Sequence, residues 1–131
     1  LCSQTEWYYR YELETCFEFI PNVNWFDGVK ACDSLGGHPV KITDCSEARA
    51  FTNTVSGPIW LGVRNSNRRN EFYWKNEFVQ ASFVQWGTGE PKYFQSSNSC
   101  VVFDKTASRY GQWITKECSS IKLEFACAKD P

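Results

Sequence analysis

Seven cysteines fall within 131 residues: Cys2, Cys16, Cys32, Cys45, Cys100, Cys118 and Cys127. A reducing cytosol keeps thiols unpaired, so this density points to a disulfide-stapled chain matured in an oxidising, extracellular compartment. The odd count leaves one sulfur to be free, capped by a small thiol, or joined to a second chain. The staples therefore restrict the fold, the location and the assembly before any other residue is considered.

The length suits one domain over residues 1–131 with a core of its own. Six Trp, ten Phe and six Tyr supply bulky core material, and the net charge of −1 shows no global bias. That balance argues against a nucleic-acid partner or an anionic membrane surface. No apolar run approaches the ~20 residues of a membrane span. No leader of the signal-peptide type opens the chain, so Leu1 reads as the start of a processed or truncated form.

Periodicity gives an α+β chain. Trp7, Tyr9, Tyr11, Phe17 and Phe19 alternate with polar residues, which predicts a hairpin of two short strands between Cys2 and Cys16. Asn24 caps an amphipathic helix with Trp25, Phe26, Val29, Cys32 and Leu35 on one face, and Gly36-Gly37 stops it. A strand is expected at Val40–Ile42. Asp44 and Glu47 have capping-box spacing and start a second helix with Ala48 and Phe51 inward, ended by Gly57-Pro58. Further strands are expected at Ile59–Val63, Phe72–Lys75, Val101–Phe103, Gln112–Thr115 and Leu123–Cys127. The segment from about Gln80 to Asn98 has no period. An irregular stretch that long inside a compact domain is usually a functional loop.

Three motifs stand out in order: Ile59-Trp60-Leu61-Gly62-Val63, then Phe83-Val84-Gln85-Trp86-Gly87-Thr88-Gly89-Glu90-Pro91, then Gly111-Gln112-Trp113 followed by Cys118. In this order they resemble the C-type lectin-like domain. They are similar to its Trp-Ile-Gly-Leu strand, the run into its Glu-Pro-Asn motif and the start of its Trp-Asn-Asp strand. The resemblance covers nearly the whole chain. It implies two helices flanking antiparallel sheets, a long irregular loop, and a Cys2–Cys16 pair of the long form. It also implies the pairs Cys32–Cys127 and Cys100–Cys118, each contributing roughly 3–5 kcal/mol by chain-entropy models. Cys45 is left over, either unpaired or in an interchain bridge that would make a disulfide-linked dimer. A pairing of Cys45 with Cys2 or Cys16 stays open.

Sugar-binding members of that family hold Ca²⁺, which takes about six to eight oxygen ligands. The resemblance places those ligands at Glu90, Lys92, Asn98, Ile114 and Thr115. Only Glu90 keeps an acidic oxygen there, Asn98 offers a neutral one, and Ser99 replaces an acid used in a second calcium site. An ammonium ~4 Å from a divalent ion costs about 2 kcal/mol even in a water-like dielectric. The expectation is therefore no metal and no cofactor, with Lys92 either near Glu90 in place of the ion or pointing into solvent. The isomer of the Glu90-Pro91 bond is left open.

No Ser/His/Asp or paired-acid arrangement suggests an enzyme. The single histidine, His38, reads as structural or surface. Trp60, Trp86 and Trp113 read as packing. Arg64, Arg68 and Arg69 lie in or beside an asparagine-rich turn and read as solvated, with a sulfated glycan or acidic partner as the alternative. Tyr93 and Phe94 follow Lys92 on the loop, where exposed aromatics anchor sugar faces or protein pockets; the alternative is that they fold back onto the core. The expected function is a secreted recognition module that binds a protein or glycan without calcium. Its site would comprise Glu90, Lys92, Tyr93, Phe94 and Asn98, with Gln112 and Thr115 on the neighbouring strand. The alternatives are a calcium-dependent lectin with a remodelled site, using oxygens such as Asp104 or Glu117, and a disulfide-linked assembly through Cys45.

Overall fold

The structure, a computed structural model, describes residues 16–65, 71–75, 80–93, 99–106 and 110–129. The expected hairpin and the proposed Cys2–Cys16 pair lie outside these residues. Among the described residues nine elements follow in order: β1 (Cys16–Val23), α1 (Trp25–Ser34), β2 (His38–Pro39), α2 (Cys45–Thr54), β3 (Ile59–Asn65), β4 (Phe72–Trp74), β5 (Ser99–Asp104), β6 (Gln112–Glu117) and β7 (Leu123–Lys129). The sheet runs β1-β7-β3-β5-β6, with β2 attached to β7 and β4 to β3. Its pairs are antiparallel except β3 with β7.

The near-continuous apolar run Ile59–Val63 reflects burial on both faces of the sheet. Ile59, Leu61 and Val63 face one layer with Val101, Phe103, Ala126 and Ala128, covered by Ala48 and Phe51 of α2. Trp60, Cys100, Val102, Phe125 and Cys127 face the other, covered by Trp25 and Cys32 of α1. Alternation along β3, β5 and β7 thus feeds two cores from one sheet.

Helix α1 starts where Asn24 accepts the Asp27 N–H (2.8 Å) and donates through Nδ2 to the Ser119 carbonyl (3.0 Å). The Trp25 N–H donates to the Cys118 carbonyl (3.1 Å), so the β6–β7 turn holds the helix start. Gly36, at φ 77°, turns the chain out of the helix and lets Gly37 N–H reach the Cys32 carbonyl (3.1 Å). The buried face of α1 is Trp25, Gly28 and Cys32. Phe26 and Leu35, expected inward, are 36% and 49% exposed. The reason is Gly28: a Cβ there would lie 2.3 Å from the Phe125 ring. The helix therefore docks on its Gly28 side, and Cys32 bonds to Cys127 on the same strand as Phe125.

Helix α2 starts on Asp44, which accepts the Glu47 N–H (2.8 Å), while Glu47 takes the N–H and hydroxyl of Thr43 rather than closing a box on Asp44 itself. No basic residue sits in its last turn. Lys105 supplies that charge from a distance, donating to the carbonyls of Thr52 and Val55. The strand expected at Val40–Ile42 is displaced. Main-chain pairing with β7 occurs at His38 and Pro39, while Val40 and Ile42 bury their side chains.

Cys100 and Cys118 are joined across the end of the β5–β6 pair. Cys45 is also disulfide-bonded, which corrects its assignment as unpaired or interchain. Cys32, Cys100, Cys118 and Cys127 are committed elsewhere. Its partner sulfur is therefore none of these four. The physical reason is packing. Cys45 opens α2, and α2 lies against β1 through Phe51 and Phe17, whose rings are 6.2 Å apart.

Two outcomes follow from this packing. Gly28→Ala is expected to lower the unfolding free energy by about 1–3 kcal/mol through overpacking on Phe125, even though Ala outranks Gly in a helix. Denaturant titration measures it, and a stabilised variant would refute so close an approach of α1 to β7. The second concerns Glu117, whose carboxylate is held down to about 2 from an ordinary 4.5. The Ser119 hydroxyl is the largest cause, followed by the Ser120 hydroxyl and the two backbone N–H groups, against a small opposing effect of burial. With a lowered native pKa, these bonds stabilise the fold above the ordinary carboxylate range and lose that effect as pH falls through about 2. Carbon-13 carboxyl titration should place the Glu117 midpoint near 2; a midpoint near 4.5 would mean that the turn does not form.

Candidate functional site: the Glu90–Thr115 network

The outer edge of β6 is where the irregular loop meets the sheet. β5 pairs with β6 at Gln112, Ile114 and Lys116 among others, and the Trp113 and Thr115 amides face the other way. The loop supplies their acceptors. Trp113 N–H donates to the Gln85 carbonyl (2.6 Å), and the Trp113 carbonyl accepts from Gly87 N–H (2.9 Å). Thr115 N–H donates to Glu90 Oε1 (2.9 Å), so a side-chain carboxylate completes what a sixth strand would otherwise provide.

Thr115 does more than expose an amide. Its hydroxyl donates to Glu90 Oε1 (2.6 Å) and accepts the Lys92 N–H (2.9 Å). Ser99 on β5 donates its hydroxyl to the Lys92 carbonyl (2.8 Å). Both polar main-chain groups of Lys92 are therefore held by side chains from adjacent strands. Ser99 and Thr115 are 1% and 4% exposed, where an unsatisfied hydroxyl would be costly. The Glu90-Pro91 bond in this segment is cis. Glu90 Oε2 lies 3.9 Å from Lys92 Nζ, a loose ion pair in which the glutamate side chain is 8% exposed and the lysine 64%.

Beneath the loop the aromatic residues form the floor. Trp86 packs edge-on against Phe72 (4.9 Å) and Trp113 (5.7 Å), and Trp113 meets Trp74 and Phe83. Tyr93 is half-buried on this floor, 6.3 Å from Phe72. The floor is built from residues far apart in sequence.

With this geometry in place, comparison with known proteins is decisive. The family model described as the Lectin C-type domain matches residues 22–129. The chain belongs to this family. A perlucin-like protein of Mytilus galloprovincialis is 26% identical over 86% of this chain and 74% of its own length. The C-type lectin lectoxin-Lio3 of Erythrolamprus poecilogyrus is 30% identical over 86% of this chain and 73% of its own length. The crystal structure of a calcium-independent type II antifreeze protein matches with a TM-score of 0.76 at 20% identity, covering 93% of this chain and 91% of that one, which is a likeness of fold.

C-type lectin domains that hold calcium need several free oxygens at one point. The residues here do not fit that ion. Oε1 of Glu90 already takes two donors from Thr115, and an ammonium sits 3.9 Å from Oε2. Among the described residues, no group of three His, Cys, Asp or Glu side chains could hold a metal. Asp104 is engaged by Thr106 and Glu117 by Ser119 and Ser120.

Of the residues expected at the site, Glu90, Lys92 and Thr115 are brought together. Tyr93 adjoins them along the chain but turns toward Phe72. Gln112 is elsewhere, with its side chain over Gly87, where a Cβ would meet Gln112 Oε1 at 2.7 Å. Phe94 and Asn98 lie outside the described residues. Ser99 was missed as a member. Its signal was its place beside Cys100 at a position where the resemblance expects an acid, but its bond to the Lys92 carbonyl has no sequence signature. Arg64 is on β3, its guanidinium 5.4 and 5.5 Å from the Trp25 and Phe26 rings, not in a solvated turn. Arg68 and Arg69 lie outside the described residues. His38 is exposed, with its ring nitrogen 3.0 Å from the Pro39 carbonyl.

Thr115→Val keeps the shape but removes the hydroxyl, leaving Lys92 N–H without its acceptor and Glu90 with one donor fewer. A loss of about 1–3 kcal/mol in unfolding free energy is expected, and an unchanged denaturation midpoint would contradict the network.

Proposed function

We propose that this chain is an extracellular, non-enzymatic recognition domain spanning residues 1–131 that binds a protein or glycan without calcium. The ligand surface is the segment from Glu90 through Tyr93 and onward toward Asn98, with the neighbouring part of β6. The observation that carries this reading is the double donation from Thr115 to Glu90 Oε1, because it engages one oxygen of the carboxylate that the resemblance assigns to the metal. The fold is shared by a type II antifreeze protein whose name states calcium independence. The Cys32–Cys127 and Cys100–Cys118 bridges support an oxidising compartment. A rigid scaffold carrying a variable loop is a general arrangement for binding.

The test pairs stability with binding. Calcium at a concentration ~100 times a dissociation constant would stabilise the native state by about 2.7 kcal/mol, a rise of several degrees for a domain of this size. The expected result is the same thermal midpoint in millimolar calcium and in chelator, and glycan-array or protein binding that persists in chelator and falls in a Tyr93→Ala variant. A clear rise in midpoint with calcium, or binding seen only with it, overturns the proposal.

A further inference from the structure

Between Gln80 and Cys100 the only charged residues are Glu90 and Lys92. They are not equally available. Glu90 is nearly buried and doubly hydrogen-bonded, whereas the Lys92 side chain is 64% exposed. The loop segment described here therefore shows solvent a single positive charge. At 3.9 Å the carboxylate is beyond hydrogen-bond reach, so the three donors of the ammonium are not satisfied by it. Glu117 shares the Thr115 face of β6, but its oxygens are taken by Ser119 and Ser120. Lys116 neighbours Thr115 in sequence and so projects from the opposite face of the strand.

The position of this ammonium is also controlled. Thr115 holds the Lys92 N–H and Ser99 holds its carbonyl. The point from which the lysine leaves the main chain is thus set by two buried side chains of β6 and β5. Fixing the stem reduces the ordering cost when the ammonium takes a ligand. The surroundings favour a polar ligand. Protein hot spots are built on desolvated apolar anchors, and the large hydrophobic residues exposed among the described ones, Phe26 and Leu35, are both in or next to α1.

We infer that Lys92 is the ligand-facing charge of this loop, that it takes an anionic group, sulfate or carboxylate, carried by a glycan, and that Thr115 and Ser99 are its positioning residues. The inference rests on the loop being the binding surface, and it names the ligand chemistry and the residues that aim it.

Nitrogen-15 NMR of the whole chain in chelator tests this with two probes, a heparin tetrasaccharide for sulfate and 3′-sialyllactose for carboxylate. The expected result is saturable shifts of the Lys92, Tyr93 and Thr115 amides with at least one probe, which identifies the anion. Lys92→Gln should weaken binding about tenfold, the scale of one charge-assisted contact, and Lys92→Arg should retain it within about threefold. Ser99→Ala should weaken binding several-fold in the wild-type background and add nothing in the Lys92→Gln background, a coupling that a general loss of stability would not produce. Thr115→Val should behave alike where its spectrum shows a folded chain, and Ser99→Ala decides the matter where it does not. Shifts centred on Arg64 and α1, or silence with both probes, overturn the inference. Loop shifts that ignore Lys92→Gln also overturn it while leaving the loop as the binding surface. Loss of all loop binding, including the array ligands of the preceding test, removes that surface as well.

Discussion

A five-strand path ends at β6, and two amides on the outer side of that strand, Trp113 and Thr115, need acceptors that no further strand among the described residues supplies. Open edges are a hazard for any sheet. Here the edge is covered by an irregular segment whose Gln85 carbonyl and Glu90 carboxylate take the two amides. This constraint organises the rest of the site. Once Glu90 is committed to the edge, its carboxylate leaves the solvent, the Thr115 hydroxyl follows it, and Lys92 is carried to a fixed exit point between β5 and β6.

The same interaction supports the calcium-free reading proposed for a chain that keeps the family's architecture. Donors from the protein occupy one oxygen of the Glu90 carboxylate and organise the loop from within. An exposed ion pair contributes little by itself, and the Glu90–Lys92 pair is of that kind at 3.9 Å. The short bonds through Thr115 and Ser99 are partly or fully withdrawn from water and carry the ordering.

On the opposite side of the sheet, α1 is held by different means. Gly28 admits the Phe125 ring, Cys32 is bonded to Cys127, and the helix start is tied to the β6–β7 turn through Asn24 and Trp25. Arg64 completes this layer by lying over the two aromatic rings at the helix start, a contact of about 0.5–1 kcal/mol when exposed. The two layers share β3, β5 and β7, so the loop face and the helix face are coupled through a common, doubly buried strand set.

The two helices and most of the strands were legible in the sequence, because each is a local matter. Caps at Asn24 and Asp44, the Gly36 stop, the alternation along β3 and the residue types at 90, 92 and 115 are all encoded within a few positions. What only the tertiary structure decided depends on contacts between distant segments. Phe26 and Leu35 carry the helical period of a buried face, yet Gly28 and Phe125, 97 positions apart, turn them outward. Cys45 is left over by the pairing that the resemblance implies, yet α2 packs on β1 and Cys45 is in a bridge. Ser99 and Thr115 are ordinary strand hydroxyls until β5 and β6 bring them to the two sides of Lys92. A sequence states which groups exist and which local conformations they favour; which donor meets which acceptor is settled when burial forces each polar group to find a partner.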